Sequence, residues 1–168
     1  MTPRIVLIGA PGSGKSTIGQ ELAKLLALSF SDTDLMIEAR EQKSISDIFV
    51  DKGEPFFREI EQEVLKDALS LNDCVLSLGG GAPISENAQK LIVESGATVV
   101  FLDISLASAA PRIGFNRDRP LLLGNPRAQW SELLELRRPV YEKISSIKID
   151  ANVGTPSEIA HTIMKEIA

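Results

Sequence analysis

Directly after the β-branched apolar run Arg4–Ile8, the chain reads Gly9-Ala10-Pro11-Gly12-Ser13-Gly14-Lys15-Ser16, which fits the spacing G-x-x-x-x-G-K-[ST]. Few folds accommodate that order. The glycines let successive backbone N–H groups turn toward one centre. A helix that starts at Lys15 points the positive end of its dipole at the same place. Such a loop holds the phosphates of a nucleotide through Gly12, Ser13, Gly14, Lys15, Ser16 and Thr17. Lys15 reaches the β and γ phosphates, and the Ser16 hydroxyl is suited to ligate magnesium. A dinucleotide site fits less well, because Thr17 stands where the third glycine of G-x-G-x-x-G is needed.

The rest of the chain alternates strand and helix patterns. Arg4–Ile8 and Cys74–Leu78 read as buried strands, with shorter strands at 30–33, 99–102 and 147–149. Lys15–Leu28 has helical spacing, and 85–94 is a further helix. Residues 34–71 read as wholly helical except for a break at Gly53-Glu54-Pro55. This alternation predicts an α/β fold with a mostly parallel sheet. Neither a linker nor an internal repeat stands out. The 168 residues suit one domain. Residues 114–127 are loop-like, and a long polar loop in a compact domain is usually functional or mobile.

Composition excludes several function classes. The net charge of −5 offers no general basic surface to nucleic acid. One cysteine, Cys74, rules out an intrachain disulfide, and one histidine, His161, leaves zinc without ligands. No apolar run reaches membrane-spanning length, and the N-terminus lacks the regions of a signal peptide. A cytoplasmic monomer with no nucleic-acid or membrane partner is the expectation.

Asp32-Thr33-Asp34 ends the second strand pattern, at the sheet end where doubly wound folds place ligands. These aspartates could face magnesium and a second substrate, while Thr33 or Asp34 could equally start the next helix. Further along come Gly53-Glu54-x-x-Phe57-Arg58-x-x-Glu61, Gly79-Gly80-Gly81, Arg119-Pro120-Leu121-Leu122 and Arg137-x-Pro139-x-Tyr141. Together with the phosphate loop, and in this order, they resemble the shikimate kinase family of the nucleoside monophosphate kinase structural group. The match spans nearly the whole chain.

The resemblance implies a three-layer α/β/α P-loop kinase fold over 1–168, with a five-stranded parallel sheet. It implies a substrate-binding helical region at about 34–60 and a mobile lid at about 112–125. The implied reaction transfers the ATP γ-phosphoryl group to the 3-hydroxyl of shikimate, on the route to chorismate and the aromatic amino acids. By the same resemblance Asp34, Arg58, Gly79, Gly80, Gly81 and Arg137 bind shikimate. Arginine suits its carboxylate because the planar fork can bond both oxygens. Arg138 is the alternative to Arg137. Asp34 either orients the attacking hydroxyl or accepts its proton. Lys15 and Arg119 join it in catalysis, with Arg117 competing for the role of Arg119. Ser16 and Asp32 hold Mg2+, Asp32 through water. Arg112, Arg119 and Pro156 complete the ATP site, Arg112 packing on the adenine. Gly154 stands about where relatives carry a second arginine. Phe49 and Phe57 either wall the substrate pocket or pack in the core.

Two other readings compete. A related small-molecule kinase, such as a gluconate or nucleotide kinase, would share the loop but not the arginine pair with the triple glycine. A nucleotide-dependent regulatory protein would need no second-substrate pocket.

Overall fold

The computed structural model describes residues 4–113 and 125–168. In chain order these form β1 (Arg4–Ile8), α1 (Lys15–Leu26), β2 (Ser29–Asp32), α2 (Thr33–Glu41), α3 (Ile45–Ala68) and β3 (Cys74–Ser77). Then come α4 (Glu86–Glu94), β4 (Thr98–Asp103), α5 (Leu106–Ile113), α6 (Pro126–Ile144), β5 (Ile147–Asp150) and α7 (Pro156–Ile167). The strands make one five-stranded sheet in the order β2-β3-β1-β4-β5, every neighbouring pair parallel.

Strand alternation divides the core into two layers. Ile5 and Leu7 of β1, with Val75, Val100, Leu102 and Ile149, face α1, α7 and Trp130 of α6. Val6 and Ile8, with Cys74, Leu76, Val99 and Phe101, face the end of α3, α4, and Tyr141 and Ile144 of α6. This is why β1 is apolar at every position but its first: both of its faces are covered. A third small cluster, built on Ile37, Ile48, Phe57 and Val64, ties α2 to α3. The Phe49 and Phe57 rings lie 4.8 Å apart against it, so core packing accounts for them.

The expected helix over 34–71 is interrupted twice, not once. Gln42 adopts a left-handed conformation and ends α2, and Ser44 caps α3 by accepting the Asp47 N–H at 3.1 Å. Glu38 crosses this break and accepts the Ile45 N–H at 3.0 Å. The second interruption is the expected one, at Gly53, whose φ of 83° kinks α3 ahead of Pro55. The second strand ends at Asp32 rather than Thr33, because the Asp32 carboxylate caps α2, accepting from the N–H groups of Asp34 and Leu35.

The chain passes from β1 to β2, returns through β3 and then crosses to β4, so β1 lies between strands reached in opposite directions. The crevice beyond its carboxyl end is where such sheets bind ligands. Gly19 sets how closely α1 approaches the sheet: a Cβ there would stand 2.6 Å from Cε1 of Phe30. Gly19→Ala should therefore lower stability by about 1–3 kcal/mol through overpacking. Urea unfolding of the variant, with an unchanged slope and an earlier midpoint, checks this; an unchanged midpoint contradicts it.

Candidate active site

A cleft of about 840 Å³ opens at the carboxyl ends of β1, β2 and β3. Pro11, Gly12, Gly14, Lys15, Ser16 and Thr17 line one side, and Asp32, Asp34, Gly79 and Gly80 another. The phosphate loop leaves β1 at Gly9, where a side chain is impossible: a Cβ would sit 2.7 Å from the Leu102 carbonyl oxygen. Gly12 and Gly14 take φ values of 83° and 90°, which glycine alone adopts without strain. No side chain caps the N-terminus of α1, and its first turn carries no acidic residue. Lys15 Nζ donates to the carbonyls of Gly9 (2.9 Å) and Ala10 (3.2 Å).

Across the loop, the Ser16 hydroxyl donates to Asp32 Oδ2 at 2.5 Å, while Oδ1 caps α2. The hydroxyl and the carboxylate expected to hold a metal are thus already side by side. A hydroxyl, a carboxylate and room for phosphate oxygens form a hard-oxygen set that fits Mg2+, which keeps several waters.

The glycine triplet after β3 lies against three charged side chains in turn. A Cβ on Gly79 would be 2.5 Å from Asp34 Oδ1. One on Gly80 would be 3.0 Å from Arg137 Nη1, and one on Gly81 would be 2.5 Å from Arg58 Nη1. Three residues distant in sequence therefore meet one short turn, each at its own glycine. Thr33 fixes the turn by accepting the Gly79 N–H at 3.0 Å, and Tyr141 by donating its hydroxyl to the Gly80 carbonyl at 2.6 Å. Burial pushes the Tyr141 phenol up to about 12, against the pull of Arg137, so it stays a donor at neutral pH.

The two arginines are held differently. Arg58 donates to Glu61 Oε1 at 2.7 Å and to Glu54 at 3.3 Å, and stacks 5.2 Å over the Phe57 ring. Glu61 is only 2% exposed. Burial raises its carboxyl above the ordinary range, and the attraction of Arg58 opposes that rise. Arg137 is 8% exposed, lies close enough to the Tyr141 hydroxyl and to Glu61 for its charge to act on both, and forms no ion pair within 4 Å among the described residues. Arg138 points elsewhere, pairing with Asp103 at 2.9 Å and lying over Phe101. Of the two adjacent arginines, Arg137 is the one at the glycine turn.

Other expected site residues fall less centrally. Arg112 lines the cleft and donates to the Gly12 carbonyl at 3.3 Å. Pro156 opens α7, capped by Thr155 and Glu158, and is not part of the cleft lining. Gly154 has φ of 101°, a conformation that disfavours any arginine there. Arg117 and Arg119, and most of the lid expected at 112–125, lie outside the described residues. His161 is exposed on α7. Glu61, Trp130 and Tyr141 have roles here that their place in the sequence motifs does not state, and Thr33, expected only as a helix start, also holds the turn. Glu61 and Tyr141 follow the two arginines by three and four positions, the helical spacing that brings side chains together. Trp130, whose Nε1 donates to the Pro11 carbonyl at 2.9 Å, carries no such local signal.

Comparison with known proteins identifies the family. The family model for shikimate kinase matches residues 11–168. The chain is 41% identical to the shikimate kinase of Rhodococcus jostii over 169 residues, covering all of this chain and 99% of that protein. It is 44% identical to that of Thermobifida fusca over 165 residues, covering 98% and 95%. Shikimate kinase from Acinetobacter baumannii in complex with shikimate superimposes with a TM-score of 0.95 at 33% identity, covering 99% and 93% of the two chains. The chain belongs to the shikimate kinase family and is a phosphotransferase with an alcohol acceptor.

Two expectations follow for the arginine site. Gly81→Ala should push Arg58 off Glu61 and raise the KM for shikimate about tenfold or more, since a charged hydrogen bond contributes roughly 1.5–3 kcal/mol. The KM for ATP should stay put; a rise in both would contradict the contact. The second concerns Glu61, whose raised carboxyl means that the folded chain holds this proton more tightly than the unfolded one. Stability then falls as pH rises through the window above the ordinary glutamate value. Glu61→Gln should flatten that fall, as read by urea midpoints from acid to neutral pH. A steeper fall in the variant would contradict the sign.

Proposed function

We propose that this member of the shikimate kinase family binds ATP along the phosphate loop and shikimate against the Gly79–Gly81 turn, with Asp34 between them. The observation that carries this reading is Arg137, a nearly buried guanidinium beside Gly80 that has no carboxylate partner among the described residues. A buried guanidinium with no carboxylate in direct contact is poised for an anionic ligand. Arg58 offers a second cation one glycine away. A compact carboxylic acid suits that pair better than a nucleoside does.

In this reading the 3-hydroxyl oxygen attacks the γ-phosphorus, the bond to the β–γ bridging oxygen breaks, and ADP leaves. Asp34, with its carboxylate at Gly79, orients the hydroxyl or takes its proton. Transfer of this kind depends mainly on positioning and charge stabilisation. Lys15 neutralises the β and γ phosphates, and Gly12, Ser13, Gly14 and Thr17 supply further contacts. Ser16 and Asp32 would hold Mg2+, which supplies charge neutralisation on the phosphates when bound. Arg112 would shift from the Gly12 carbonyl to the adenine, with Pro156 beyond it. Gly154 leaves that side of the base without an arginine. Arg119 would bring positive charge to the transferring group from a lid at about 112–125, and residues 34–60 would carry the acceptor. The whole chain would act as one kinase domain, a monomer in the cytoplasm. No described helix is long and apolar enough to cross a membrane.

A coupled assay with shikimate and ATP–magnesium tests the reading: ADP release should depend on shikimate, and none at saturating shikimate would overturn it. Arg137→Ala should cost about 2–4 kcal/mol of shikimate binding, by analogy with removing one member of a buried charged pair. Calorimetry should show ATP affinity unchanged. A loss of ATP affinity instead would move Arg137 out of the acceptor site.

A further inference from the structure

The carbonyls of the phosphate loop are engaged one after another by side-chain donors. Lys15 takes those of Gly9 and Ala10, Trp130 takes that of Pro11, and Arg112 takes that of Gly12. Three of these four bonds come from side chains with an evident ligand role. The fourth comes from an indole on α6, 119 positions away in the chain, that is not part of the cleft lining.

We infer that Trp130 is a positioning residue for the nucleotide phosphates: its indole N–H holds the Pro11–Gly12 peptide with the carbonyl outward, and so sets the Gly12 N–H inward. The step follows from peptide geometry. In a trans peptide the C=O and N–H point in opposite directions, and none of the described peptides is cis. Turning this peptide over would rotate ψ of Pro11 and φ of Gly12. The Ser13 N–H closes a turn on the Ala10 carbonyl at 3.2 Å, and Pro11-Gly12 at its centre favours the observed orientation, but Gly12, at φ 83°, can also take the opposite sign of φ. A bond from outside the loop adds to that local preference. Trp130 is suited to provide it, because it is 2% exposed and packed in the same cluster as Ala10, Ala109, Ile159 and Ala160. A buried indole N–H deprived of its acceptor is itself penalised, so either partner's displacement is opposed. Gly12 lines the cleft; Trp130 does not.

This inference rests on the loop being the ATP site, and the experiment separates the two. Wild-type binding of ADP–magnesium is measured first by calorimetry; no binding would overturn the reading of the loop itself. Trp130→Phe then keeps a ring and removes the donor. The chain has one tryptophan, so biosynthetic replacement by the benzothienyl isostere, which lacks the N–H, makes the same deletion with the shape intact. That protein supplies the measurement if Trp130→Phe fails to fold. The expected result is a threefold to tenfold weaker Kd for ADP and KM for ATP, about the worth of one hydrogen bond. The KM for shikimate and the melting temperature of the isostere protein should be little changed. Unchanged nucleotide affinity, or equal losses for ATP and shikimate, would overturn the role and leave Trp130 a packing residue.

Discussion

An anion-binding site in a chain of net charge −5 must keep its cations from being consumed by its own acids. Here the kind of acceptor offered to the cleft cations does much of that work. Away from the cleft, Arg40, Lys43, Arg138 and Lys148 close on carboxylates. At the cleft, Arg112 closes on a backbone carbonyl, and Arg137 lies beside the Tyr141 phenol with no carboxylate in direct contact. A neutral acceptor fixes direction while leaving the charge to act on a ligand, whereas a carboxylate would cancel it. Within the cleft Arg58 departs from this, since Glu61 and Glu54 hold it, and far from the cleft Arg4 departs in the other sense, closing on the Leu69 and Ser95 carbonyls.

The glycine turn gives this electrostatic arrangement its shape. Arginine and aspartate side chains are long or mobile enough to take many positions. Three of them are located here because the backbone they rest against has no side chains of its own. Gly79, Gly80 and Gly81 act as one surface contoured for Asp34, Arg137 and Arg58 in order. The turn is itself held by two helices: by Thr33 at the start of α2 and by Tyr141 near the end of α6. The helices that carry Asp34 and Arg137 thus also supply the side chains that fix the turn those residues rest against.

How far all this was legible in the sequence differs with the range of the interaction. The phosphate loop and the central strands were readable because their signals are local: glycine spacing, and apolar runs buried on both faces. The break at 42–44 was not, because Gln42, Lys43 and Ser44 carry no glycine or proline; a left-handed Gln42 and a crossing bond from Glu38 make it. Family resemblance named Arg58 and Arg137, but only folding shows why the triplet has three glycines. Residue type alone could not choose between Arg137 and Arg138; the helix face chose, turning Arg138 toward Asp103. Trp130 was silent, since nothing near it in sequence announces a bond to Pro11.

Glu61 shows what such a site requires of the fold. A carboxylate this buried costs more in lost hydration than Arg58 returns, which is why its proton is held more tightly than usual. Yet without Glu61, Arg58 would keep only the more exposed Glu54, in a looser contact on the outer side of the helix. The direction of the guanidinium toward Gly81 would then be underdetermined, and the triplet's contour would lose one of its three partners. Stability and recognition thus pull in opposite directions at one residue, and the sequence retains the charge that serves recognition.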